Sequence, residues 1–122
     1  MAAFLAIGQA AAGQTIIAKN LVYQAGDELY LATNADADRG ATSVVVLVSG
    51  DNIYHTAYTV ITDITITGTP DSAYTIYLGT AGGYTFDRAG SLAQPVGFVS
   101  KIKGGDTYDA LLNINRNVAI AL

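Results

Sequence analysis

An internal duplication constrains this chain more than any single motif does. Tyr23-Gln24-Ala25-Gly26-Asp27-Glu28-Leu29-Tyr30 reads as two short strands about a glycine turn, and the same tyrosine spacing recurs from Tyr77 to Tyr84. An Asp-Arg pair follows each, Asp38-Arg39-Gly40 and then Asp87-Arg88-Ala89-Gly90. Next comes an apolar strand ending in Val-Ser, Ser43 to Ser49 in the first half and Gln94 to Ser100 in the second. Both halves then enter a Gly-Asp turn, Gly50-Asp51 and Gly105-Asp106, and a final strand. With 122 residues there is room for one modest core, so the two repeats are expected to be halves of one fold.

The repeated segments are β in character. Thr15-Ile16-Ile17, Leu21-Val22-Tyr23 and Glu28 to Ala32 are short runs of branched and aromatic residues separated by Gly, Asn and Asp, the punctuation expected of strands. Val44 to Val48 is continuously apolar and reads as a strand buried on both faces. Ile53 to Ile61 and Ile64 to Thr67 alternate, as half-exposed strands do. Thr69-Pro70-Asp71-Ser72 is a turn signal and the expected joint between pseudo-repeats of about 15–68 and 69–122. Further strands are expected at Tyr74 to Leu78, Gly83 to Phe86, Val96 to Lys101 and Ala110 to Ile114, with Val118 to Leu122 as a closing strand or tail. No helical period persists beyond a single candidate within residues 2 to 12, so the expected class is all-β. A small barrel or sandwich fits the turn rhythm, and closure would hide edge strands that invite aggregation.

Residues 1 to 14 differ in composition, being rich in Ala and Gly with Phe4, Leu5 and Ile7 as the bulky groups. They are read as a helix, a first strand, or an arm laid on a neighbour. Partner binding is assigned to Phe4, Leu5 and Ile7, because so short an apolar run builds no core of its own. The segment has no basic region of the kind that opens a signal peptide, and no stretch is long enough for a membrane helix.

Composition narrows the function classes. The net charge is −4 with only six Lys+Arg, which leaves no basic stripe to neutralise phosphates and argues against nucleic acid as partner. Charged residues are 13% against 51% hydrophobic, where about 25% charged is ordinary. A surface so poor in charge is expected to be covered in an assembly. The absence of cysteine removes disulfides and thiolate chemistry together.

Nothing assembles into catalytic or cofactor chemistry, and neither enzymatic activity nor a metal or cofactor is expected. His55, the single histidine, lies on an alternating strand with no nucleophile or orienting acid placed by motif. Asn34-Ala35-Asp36-Ala37-Asp38 opens like an EF-hand loop, but Arg39 stands where its glycine belongs and Val45 where its closing Glu belongs. Gly79-Thr80-Ala81-Gly82-Gly83 lacks the Lys-Ser/Thr of a phosphate loop and reads as a hairpin turn. The eight tyrosines supply amphipathic surface suited to interfaces and to barrel rims alike.

With Ala12 to Tyr23, the Gly26-Asp27-Glu28-Leu29-Tyr30-Leu31-Ala32 hairpin and the Pro95-Val96-Gly97-Phe98-Val99-Ser100 strand laid out, the chain resembles the small bacteriophage head decoration, or capsid cement, proteins. That resemblance implies a β-rich virion protein, made in the host cytoplasm, that binds the major capsid protein on the capsid exterior as a homo-oligomer, a trimer being favoured. The Gly79 to Phe86 segment departs from the family pattern and is also similar to modules of phage fibres and tails. The alternative expectation is therefore a receptor- or glycan-binding module, with the Asn34 to Gly40 and Arg88 to Ala93 loops together at one end.

Overall fold

A computed structural model describes residues 5 to 122. The chain is all-β and forms two closed five-stranded barrels. The first comprises β1 (Ala6–Ala10), β2 (Leu21–Ala25), β3 (Glu28–Leu31), β4 (Ser43–Ser49) and β5 (Asn52–Thr56). The second comprises β6 (Tyr58–Thr67), β7 (Thr75–Leu78), β8 (Tyr84–Thr85), β10 (Pro95–Gly104) and β11 (Thr107–Asn113). β9 (Leu92–Ala93), which falls between β8 and β10 in sequence, pairs with β12 (Ile120–Ala121), which follows β11, as a separate ribbon.

The two barrels share one connectivity. In the first, β1 runs parallel to β3 and antiparallel to β5, while β2 pairs antiparallel with β3 and β4, and β4 with β5. In the second, β6 runs parallel to β8 and antiparallel to β11, while β7 pairs antiparallel with β8 and β10, and β10 with β11. Thus β1, β2, β3, β4 and β5 correspond to β6, β7, β8, β10 and β11. The Gly50 and Gly105 turns that close the last hairpins both take positive φ, 59° in each case, a conformation that favours glycine.

Two expectations change, and a third is decided. The chain passes from the first barrel to the second at Ala57, so Thr69 to Ser72 connects β6 to β7 inside the second barrel instead of joining the halves. Neither glycine nor proline marks this passage in the sequence. Of the helix, first strand and arm offered for residues 1 to 14, Ala6–Ala10 is the first strand, and it seals the first barrel between β3 and β5. Val44 and Val45 are fully buried, but Leu47 and Val48 are exposed, because β4 outruns its two-residue pairing with β2 and only its beginning is sandwiched.

That beginning explains how the barrels join. Val22 and Val45 point into the first barrel's own core with Ile16, Leu29 and Ile53. Their neighbours Leu21 and Val44 point the other way, into a larger core with Ile66, Ile76, Leu78, Val96 and Leu112 of the second barrel. Backbone bonds reinforce the seam. Leu21 N–H donates to Gly82 O at 2.9 Å and Gly82 N–H to Ala32 O at 2.7 Å. Gly82 has φ +76°, and a Cβ there would lie 3.0 Å from Leu21 O, so this approach requires glycine. The Tyr84 hydroxyl donates to Lys19 O at 2.6 Å. Gln94, fully buried, spans the seam with its amide: Ala41 N–H donates to Oε1 at 2.6 Å and Nε2 donates to Ala41 O at 2.8 Å.

Candidate interaction surface

The polar side chains are tied into structure. His55 is buried in the first barrel, with Nδ1 2.7 Å from Ser43 Oγ. This is the spacing of a nucleophile and its base, but both groups are buried and neither lines a cleft. Burial holds the His55 pKa below its ordinary value, so the neutral imidazole is the folded form. At the far end of the second barrel, Lys103 Nζ lies 2.8 Å from Asp63 Oδ1 and 3.3 Å from Asp109 Oδ1. Asp109 Oδ1 also accepts the Asp63 N–H at 3.0 Å. That backbone bond, with Lys103, lowers the Asp109 pKa, and the hydrogen bond to Asp63, followed by that to Asp109, raises that of Lys103.

The loop around Asn34 closes on itself. Asp36 Oδ1 accepts the Asp38 N–H at 2.8 Å, and Asp36 forms an exposed ion pair with Arg39. No cluster of three or more metal-ligating side chains occurs among the described residues. The Asn34 to Gly40 and Arg88 to Ala93 loops do meet: Asn34 O accepts Ser91 N–H at 2.7 Å and Leu92 N–H at 3.1 Å. Beside them opens a cleft of about 350 Å³ lined by Thr65, Thr67, Thr80, Thr85 and Asp87.

Apolar side chains also point outward on both barrels. On the first barrel, Ile7 of β1 stands opposite Tyr54 of β5, and Tyr54 opposite Leu47 of β4. The neighbours of Tyr54 along β5, Ile53 and His55, are buried, so strand alternation turns this row to the outside. Ile7 is 62% exposed and Leu47 53%. On the second barrel, Val60 of β6 stands opposite Leu111 of β11, and Leu111 opposite Phe98 of β10. Ala110 and Leu112 flank Leu111 and are buried, while Val60 is 57% and Phe98 50% exposed.

The rows lie on corresponding strands but not at corresponding positions. β1, β5 and β4 match β6, β11 and β10, but Phe98 pairs with Leu111 and Thr75 as Val44 pairs with Thr56 and Leu21, so the second row matches Thr56 and Val44, one step along the strands from Tyr54 and Leu47. Leu5, two residues before Ile7, and Tyr58, two before Val60, are also exposed. The next outward positions are Gln9, Asn52 and Ser49 on the first barrel, all neutral, and Thr62, Asp109 and Ser100 on the second, where Asp109 stands opposite Lys101.

Comparison with family models, curated proteins and solved structures gave no match. The surface therefore speaks for itself. Of the residues assigned to partner binding from sequence, Leu5 and Ile7 lie in the first-barrel patch, and Phe4 falls outside the described residues. Tyr54, Leu47, Val60, Leu111 and Phe98 escaped sequence reasoning. The missed signal was a strand such as β11, whose Ala110, Leu111 and Leu112 put apolar groups on both faces.

Proposed function

We propose that this chain is a non-enzymatic virion structural protein that decorates the exterior of a phage capsid and holds to it, and to its own copies, through apolar and hydrogen-bonded contacts. The observation that carries this reading is a row of exposed apolar side chains on each barrel, in a chain with few charges. A protein that binds only the assembled lattice stabilises that lattice by mass action, and many weak sites suffice. The closed barrels suit such a role, because no long strand edge is left to pair indiscriminately.

Copy number per particle, by quantitative electrophoresis of purified virions, tests it. Decoration of the head requires on the order of hundreds of copies, as repeated weak attachment demands, whereas a dozen or fewer refutes it. Deleting residues 2 to 12 is not a usable binding test, since it removes β1 and opens the first barrel. A second reading, a glycan-binding module of a fibre or tail, is favoured by the threonine- and Asp87-lined cleft beside the joined loops. Binding on a glycan array that is lost in Asp87→Ala would select it.

A further inference from the structure

We propose that β1 is a detachable seal on the first barrel, released when His55 beneath it takes up a proton, so that acid opens this barrel without unfolding the second. The inference stands apart from the decoration reading and holds whatever the chain attaches to.

The first strands of the two barrels are held in unlike ways. β6 drives Ile61, Ile64 and Ile66 into the larger core. β1 sends no side chain inward that is buried: Ala6, Ile7, Gln9 and Ala10 are exposed, and Gly8 has none to bury. Backbone pairing holds it, over three residues with β5 and two with β3. An element with so little apolar burial opens locally before the core strands do. Beyond β1 the chain is anchored, because Ala11 is buried and Gln14 Oε1 accepts the Leu31 N–H at 2.9 Å. Gly13, at φ +82°, lies between these two anchors, so the turn serves as a hinge on which β1 lifts while the rest of the barrel stays paired.

What lies under the seal is a histidine with no counter-charge. A Cβ at Gly8 would stand 2.8 Å from Leu29 Cδ1 and 3.5 Å from His55 Nε2, so the missing side chain is what lets the ring fit beneath the strand. Ser43 Oγ, 2.7 Å from Nδ1, is the hydrogen-bond partner of the ring among the described residues. An imidazolium donates from both nitrogens, and water supplies the second acceptor once β1 lifts. The groups facing the ring are uncharged: Ala6 and Gly8 from β1, Ser43 and Val45 from β4, and Leu29 from β3. The rest of that core, Ile16, Val22 and Ile53, is aliphatic. Glu28 is the one other acid or base on the five strands of this barrel, and it is exposed beside the inward-facing Leu29. Lys19 and the turn acids Asp27 and Asp51 are exposed as well.

The direction of the response follows. Burial, with no charge contributing, holds the His55 pKa below its ordinary value while the barrel is closed. The open form therefore takes up the proton first, and opening grows as pH falls below about 6.5. His55 is the only histidine in the chain, so the second barrel has no equivalent trigger.

Native-state amide hydrogen exchange followed by NMR tests this, with rates expressed as protection factors so that the intrinsic effect of pH cancels. The reporters are the β1 amides and Ala11, whose N–H donates to Leu29 O at 2.9 Å. Between pH 7.5 and pH 5.5 their protection is expected to fall about tenfold, the ratio given by an imidazole of ordinary pKa in the open form. Their protection is also expected to be unmoved by about 1 M urea, since local lifting exposes little surface, whereas the β6 amides lose protection as urea rises. His55→Gln, or His55→Leu should glutamine not fold, is expected to abolish the pH response, and Glu28→Gln is expected to keep it. β1 protection that is the same at both pH values, or that falls with urea as steeply as that of β6, overturns the proposal. A pH response that persists without His55, or disappears with Glu28→Gln, overturns it too.

Discussion

Gln94→Met tests whether the seam between the barrels depends on one amide. Methionine matches glutamine in length and volume, so packing is nearly preserved, but both hydrogen bonds to Ala41 disappear. Ala41 is fully buried, so water cannot take over, and its N–H and C=O are both orphaned. Each orphan costs about 1–3 kcal/mol, while the thioether recovers part of this through its cheaper desolvation, leaving a net loss of roughly 2–3 kcal/mol. At about 2.1 cal/mol/K of unfolding entropy per residue, that loss lowers the Tm of a chain this size by roughly 8–12 °C. Scanning calorimetry reads it directly, with Gln24→Met as control because the Gln24 amide bonds only to the exposed Gly26 O. The transition is expected to remain single, since the shared core and the Leu21, Gly82 and Tyr84 bonds still couple the barrels. A drop under about 3 °C, equivalent to less than 1 kcal/mol, would refute the argument that Ala41 has no other partner.

Two further outcomes follow from the interior. A Cβ at Gly97 would fall 2.2 Å from Leu111 O and 2.9 Å from Leu112 Cα, so Gly97→Ala must push β10 off β11 and is expected to cost about 2–4 kcal/mol by urea unfolding; a loss under 1 kcal/mol would show that the strands part freely. Because burial lowers the His55 pKa in the folded state, the unfolded chain takes up its proton first, so stability is full above about pH 6.5 and falls as pH drops below it. Equal urea midpoints at pH 7.5 and pH 5, compared with those of His55→Gln, would contradict that burial.

Much of the fold was legible because the two halves repeat their turn chemistry. The Tyr23 to Tyr30 and Tyr77 to Tyr84 segments do supply corresponding hairpins, β2 with β3 and β7 with β8. The Gly50 and Gly105 turns likewise close corresponding last hairpins. The boundary between halves was not legible, because β5 passes into β6 through Ala57 with neither glycine nor proline to mark it. Nor was the sealing role of Ala6–Ala10, whose small residues carry little strand propensity and are held by pairing on both sides. The patches were hidden for a different reason. Periodicity says which residues share a face, but only the register between strands brings Ile7, Tyr54 and Leu47 side by side, and register depends on contacts distant in sequence.

The position of β1 and β6 in their barrels also bears on the order of folding. Each is the first strand of its unit to leave the ribosome, yet each must wait for the third and the fifth to find its neighbours. The hairpins β2/β3 and β4/β5 can form locally while β1 is still unmatched, and the barrel locks only when residues near His55 emerge. Translation pauses before that point would prolong an open, aggregation-prone intermediate, whereas pauses after it would not.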